Sequence, residues 1–193
     1  MFQTLPFLML IWVTAITPGP NNIASMANGS RVGFRRGLPF NFGVLAGFVC
    51  VASVCAFFTT LLTRVLPQVM IVLRILGAAY MLYLAYSTLY KKKHGAKESS
   101  VSAGFLSGVL LQFMNPKIII LTFTVMSSYV LPVYTHPLII FAFCCVLAVN
   151  GFTMTLLWSA FGSLFQSVFE KHNRVVSIVL ALLLVYCAAS LFL

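Results

Sequence analysis

Two polar clusters interrupt an otherwise apolar chain: Thr17-Pro18-Gly19-Pro20-Asn21-Asn22 and Gln112-Phe113-Met114-Asn115-Pro116-Lys117. Proline removes a helical hydrogen bond and glycine lets the chain bend, so each cluster should end one helix and begin another. Pro20 suits the first turn of a new helix, which leaves the N–H groups of Asn21, Asn22 and Ile23 pointing into the break. The positive end of that helix dipole favours a carboxylate by roughly 0.3–2 kcal/mol. Thr17, Asn21 and Asn22 add neutral donors and acceptors. A kink whose amides merely hold helices together is the plainer reading, but the density of polar groups favours a binding site.

The second cluster repeats the arrangement with a charge added. Beside Ile118-Ile119-Ile120, a buried Lys117 costs ~2.5–3.5 kcal/mol at the centre of a membrane span, and would supply a fixed positive charge for an anion. The other placement has it snorkelling to the membrane edge. Gln112 and Asn150 are further polar candidates, and Asn41 is a weaker one near a membrane edge.

These residues need a membrane to make sense of them. The 193 residues are 61% hydrophobic and 7% charged, where a soluble domain carries about 25% charged residues. Apolar runs fall at about 5–26, 41–63, 66–90, 102–128, 137–161 and 175–193, room for six helices of about 20 residues. In hydrocarbon a freed backbone group is tolerated only where protein or a water-filled cavity satisfies it. The clusters lie inside the first and fourth runs. The hydrophilic stretch 91–100 separates residues 1–90 from 101–193, giving two halves of three spans each. With an odd number of spans, the second half enters the membrane inverted. Breaks at corresponding places in inverted repeats mark a transporter's site near the midplane.

Charge sets the orientation. Arg31, Arg35, Arg36, Lys91, Lys92, Lys93, Lys97, Lys171 and Arg174 fall in the first, third and fifth connections, against Arg64 and Arg74 in the second. The first set should be cytoplasmic, with both termini outside. Met1 to Leu10 contain no Lys or Arg, so the first run is expected to stay as a span rather than a cleaved signal. The net charge of +10 thus reflects topology, and nothing suggests nucleic acid as a partner.

Several chemistries are excluded. The chain has no Asp, and its two acids, Glu98 and Glu170, lie in connections, so no carboxylate proton relay can run through the membrane. His94, His136 and His172 have no partners at metal-ligand spacing, and neither a cofactor nor an enzymatic nucleophile is expected. Cys50, Cys55, Cys144, Cys145 and Cys187 sit in apolar runs as small hydrophobes. A thiol-disulfide relay would need two of them with Cα atoms about 4.4–6.8 Å apart near the surface. The pairs Gly43/Gly47 and Gly104/Gly108 permit close helix contact, within the chain or in a homo-oligomer. Tyr80, Tyr83, Tyr86 and Tyr90 fit an interfacial belt, where lipid headgroups are the partner.

Thr17-Pro18-Gly19-Pro20-Asn21, then Gly33-Phe34-Arg35, and later Gln112-Phe113-x-Asn115-Pro116-Lys117, resemble the lysine/threonine exporter (LysE/RhtB) family over essentially the whole chain. Lys117-Ile118-Ile119 and the terminal stretch from Ile178 to Ala188 are most similar to its branch exporting cysteine and O-acetylserine. The resemblance implies an all-α protein of the bacterial inner membrane that exports small amino acids. Threonine, homoserine or lysine is the alternative cargo. The expected substrate site is Thr17, Pro18, Gly19, Pro20, Asn21 and Asn22 facing Gln112, Asn115, Pro116 and Lys117. A membrane thiol relay and a purely structural protein with both breaks filled remain the rivals from other classes.

Overall fold

Proline and glycine divide the apolar sequence into helices at the places where a backbone N–H is lost or the chain must turn. The computed structural model describes residues 2–59, 71–72, 75–76, 78–79, 81–83, 85–86, 89, 104–165 and 173–189. Its helices are α1 (Thr4–Ile16), α2 (Pro20–Val32), α3 (Phe34–Phe57), α4 (Phe105–Phe113), α5 (Pro116–Val125), α6 (Pro137–Leu164) and α7 (Asn173–Ala189). A π-helical turn, Met126–Val130, continues α5. No strand occurs among the described residues.

Among the described residues, two helices are long and apolar enough to cross a membrane: α3 with 24 residues and α6 with 28. At about 1.5 Å per residue they span about 36 and 42 Å, more than the ~30 Å hydrocarbon core. A third crossing results if α4 and the α5 segment form one span bent by 63°. Leu106, Leu138, Leu157 and Leu164 stand exposed on these helices, a surface suited to lipid rather than water.

Both expected breaks are present. α1 ends at Ile16, Thr17 to Gly19 are non-helical, and Pro20 opens α2 as its first residue. Likewise α4 ends at Phe113 and Pro116 opens α5. The first connection differs from expectation. α2 runs on to Val32, Gly33 alone turns the chain at φ 82°, and α3 begins at Phe34. Arg31, Arg35 and Arg36 therefore lie on helices rather than in a loop, because glycine can make the turn in one residue. The linker 91–100, the second connection, Glu98, Glu170, Lys171, Tyr80 and Tyr90 lie outside the described residues.

Small residues then set the packing. Gly43 and Gly108 bring α3 and α4 together backbone to backbone: a Cβ on Gly43 would meet the carbonyl of Phe105, and one on Gly108 the carbonyl of Phe40. Gly47 lies against Val109 and Gln112, where a Cβ would come within 2.9 Å. Gly104, expected to share this role, has nothing within 4 Å of its Cβ position. α2 and α6 meet in the same way, Gly29 against Ser159 and Gly162 against Met26, a pairing that no short glycine spacing announced. On the other side of the molecule, Phe7 and Ile11 of α1 join Phe48, Val51, Ile118, Leu121 and Leu147 in one buried cluster.

Candidate functional site

The two breaks, far apart in sequence, touch. Asn21, in the first turn of α2, and Gln112, in the last turn of α4, exchange side-chain hydrogen bonds. Asn21 Nδ2 donates to Gln112 Oε1 at 2.9 Å, and Gln112 Nε2 to Asn21 Oδ1 at 3.1 Å. Asn115 Nδ2 donates to the same Asn21 oxygen at 3.0 Å. All three residues are buried. An unmade hydrogen bond costs most in such surroundings, and the closed ring of amides meets that demand.

Local capping explains how each break holds its shape. Asn115 is the N-cap of α5: its Oδ1 accepts from the Lys117 amide at 3.1 Å, while Pro116 fills the first helical position. Gly19 caps α2 with extended backbone, and its carbonyl accepts from the Ile23 amide at 3.0 Å. The Ile23 N–H is consequently engaged, contrary to expectation, because the N-cap carbonyl takes the first helical bond. The amides of Asn21 and Asn22 are left at the positive end of α2. Across the gap, Asn22 Nδ2 donates to the carbonyls of Ala15 at 2.8 Å and Thr17 at 3.1 Å, tying down the last turn of α1. The Thr17 hydroxyl lies 2.7 Å from the Thr14 carbonyl and 2.9 Å from that of Val13, and donates back into the same turn.

Lys117 is half-buried. Its ammonium turns to the first break, donating to Thr17 O and Thr17 Oγ1, each at 3.2 Å. The negative end of α1 stabilises a cation there. A Cβ on Gly19 would lie 3.1 Å from Nζ, so glycine leaves the room that the ammonium occupies. Two of its three N–H donors are accounted for by Thr17.

A cavity of about 30 Å³ lies at this junction, lined by Asn21, Asn22, Asn115, Lys117, Asn150 and apolar neighbours including Phe48 and Leu147. In this conformation it has room for about one or two waters. Next to it a cleft of about 380 Å³, large enough for a small amino acid, opens between Leu10, Thr14, Pro18, Pro116, Thr124 and Cys187. Thr14, Gly19, Pro20, Lys117 and Leu121 border both spaces. The half-buried Lys117 side chain, the bend at Gly19 and Pro20, and the side chains of Thr14 and Leu121 thus lie between the cavity and the cleft.

Every expected site residue comes to this junction, but in different roles. Thr17 and Pro18 are exposed in the break, whereas Gly19, Pro20, Asn21, Asn22, Asn115 and Pro116 are buried. Gln112 lines neither space and acts on Asn21. Asn150 lines the smaller cavity, and its Nδ2 has no partner. Asn41 is fully buried within α3, which begins at Phe34. The apolar walls Phe48, Leu147, Ile118 and Leu121 were not legible: inside long apolar helices their types carry no distinguishing signal. None of the five cysteines forms a disulfide, and Cys55, Cys144 and Cys187 are buried. No cluster of metal ligands occurs among the described residues.

The profile of the LysE type translocator family matches residues 12–193. A cysteine/O-acetylserine efflux protein of Klebsiella pneumoniae is 37% identical over 182 residues, covering 94% of this chain and 93% of the relative. The protein of that name from Escherichia coli K12 is 36% identical over 182 residues, 93% of this chain and 92% of its own length. Its Salmonella typhi namesake is 36% identical over 180 residues, with 93% and 92% covered. No solved structure matches.

Proposed function

We propose that this chain, which belongs to the LysE type translocator family, exports small zwitterionic amino acids, with cysteine and O-acetylserine as cargo. The observation that carries the reading is the hydrogen-bonded meeting of the two helix breaks, Asn21 with Gln112 and Asn115, beside a polar cavity. The names of the relatives support the choice of cargo. Amino-acid export needs no enzymatic step, and family and site agree on a transporter.

A broken helix offers opposite poles across one gap. The positive end of α2, with the amides of Asn21 and Asn22, suits the substrate carboxylate; the negative end of α1, around Ala15 and Thr17, suits its ammonium. Lys117 already occupies part of the negative end. A substrate ammonium would compete with it for Thr17 while the substrate carboxylate drew the lysine across. In that exchange the barrier between cavity and cleft moves aside.

The architecture that fits is six spans in the bacterial inner membrane, in two inverted halves, residues 1–90 and 101–193, joined by a cytoplasmic linker at 91–100, with both termini outside. The halves would rock about the junction of the breaks. Metabolite overflow runs down its own gradient, so tight coupling to protons is not required, and proton antiport is the alternative. Export of labelled cysteine and O-acetylserine from cells expressing the chain, beside a panel of threonine, homoserine and lysine, tests the reading. Faster efflux of the first two is expected. Efflux unchanged for the whole panel would contradict it.

A further inference from the structure

Beyond the junction, a second set of polar groups is buried without partners. Asn41 is 0% exposed, and neither Oδ1 nor Nδ2 of its side chain makes a hydrogen bond. Ser25 and Ser159 are also 0% exposed, and their hydroxyls are likewise unpartnered. Native interiors rarely leave such groups unsatisfied, and each instance calls for a reason.

The three residues belong to α2, α3 and α6, which pack against one another. At the far end of the seam between these helices Gly29, Gly37 and Ser159 converge. A Cβ on Gly29 would come within 2.9 Å of Ser159 Oγ, and one on Gly37 within 3.5 Å of Ser159 Oγ and 3.2 Å of Asn28 Nδ2. Nearer the junction α3 meets α6 again, where Gly151 faces Phe48. Asn41 lies between these two contacts on α3, as Thr155 does on α6. On α2, Ser25 is one turn from Gly29 and one turn from Asn21, on the same face. Polar side chains therefore follow one another from the cavity at Asn21 and Asn150, past Ser25, Asn41 and Thr155, to Ser159 and Asn28. The glycines along this line let the helices close until no space remains.

We propose that this seam is the cytoplasmic half of the transport path, closed in this conformation, and that Ser25, Asn41 and Ser159 are the groups that receive the substrate's ammonium and carboxylate as it enters. The proposal rests on the exporter reading and deepens it. The unpartnered amide and hydroxyls are satisfied when the helices part, and contacts through glycine backbone separate without dragging interlocked side chains. The open cleft lies on the other side of Lys117, along α1 and α5, so the two halves of the path are exposed in turn.

Inside-out membrane vesicles test this with O-acetylserine, which has no thiol and serves as both substrate and protectant. Ser25→Cys and Ser159→Cys proteins are treated with a charged methanethiosulfonate reagent from the cytoplasmic or the opposite face, and the modified peptides are read by mass spectrometry. Modification from the cytoplasmic face only, slowed by O-acetylserine, is expected. Asn41→Leu, inserted at wild-type level, should cut uptake of labelled O-acetylserine about tenfold or more. Cysteines left unmodified from that face, or Asn41→Leu vesicles that take up O-acetylserine like wild type, would overturn the path while leaving the exporter intact. Wild-type vesicles that take up no amino acid would overturn the exporter reading and this path with it.

Discussion

The side-chain amides of Asn21 and Gln112, 91 positions apart in the chain, face each other as a reciprocal pair at 2.9 and 3.1 Å. One lies just after the first helix break and the other just before the second. Each amide supplies both donor and acceptor, so the pair sets the register of the two breaks as well as their distance.

Removing one partner leaves the other buried and unsatisfied. Gln112→Leu should destabilise the protein by about 1–3 kcal/mol, and Asn21→Ala by a similar amount, since Asn115 also loses its acceptor. In a double-mutant cycle with Gln112→Ala the two losses should fall short of additive. Thermal unfolding in detergent gives the stabilities; strict additivity would mean the pair does not hold the breaks together.

Lys117 makes a separable prediction. Lys117→Met keeps much of the stem's volume and removes the ammonium that bridges to Thr17. Because the ammonium is only half-buried and its contacts to Thr17 are exposed, stability should stay near wild type, while transport falls about tenfold or more. Lys117→Arg should recover little, because a planar guanidinium is wider than the space that Gly19 leaves. Wild-type flux in Lys117→Met would remove Lys117 from the mechanism.

The glycines separate contact from sequence pattern. Gly43→Ala and Gly108→Ala force a Cβ against the backbone of the facing helix, an overpacking cost of about 1–3 kcal/mol. Gly104→Ala meets nothing within 4 Å and should change stability by no more than about 0.5 kcal/mol. The comparison is made on melting temperatures of the purified variants; equal effects at Gly104 and Gly108 would contradict the described packing of α3 on α4.

Gly33 is a third kind of glycine, needed for its backbone. At φ 82° and ψ 161° it occupies a region nearly closed to residues with a Cβ. Gly33→Ala should cost about 1–3 kcal/mol, measured by the same unfolding assay, and an unchanged melting temperature would show that the turn relaxes at no cost.

How much of this was legible depended on whether chemistry or geometry carried the signal. Pro18, Pro20 and Pro116 announced the breaks because a missing N–H acts wherever it falls. Asn115 and Lys117 announced polarity where hydrocarbon tolerates little of it. The sequence could not show that Asn21 would spend its amide on Gln112, nor that Lys117 would turn to Thr17, because both depend on how two distant segments dock. α3 starts earlier than the apolar run that begins at Asn41, because Gly33 makes a turn in one residue where a longer loop was expected. The α2–α6 contact through Gly29 and Gly162 was hidden, since neither glycine has a partner at close spacing on its own helix. Nor did Phe48 and Leu147 differ from any other apolar residue until the fold set them around the cavity.

The central claim is that the junction of the two breaks is where the cargo binds. Purified wild-type protein and an Asn21→Ala, Asn22→Ala double variant, reconstituted at equal amounts into liposomes, would be compared for flux of labelled cysteine and O-acetylserine. The account predicts rapid flux through the wild type and its loss in the variant, with the variant still folded by thermal unfolding. Undiminished flux through the folded variant would contradict it, and would move the binding site away from the breaks.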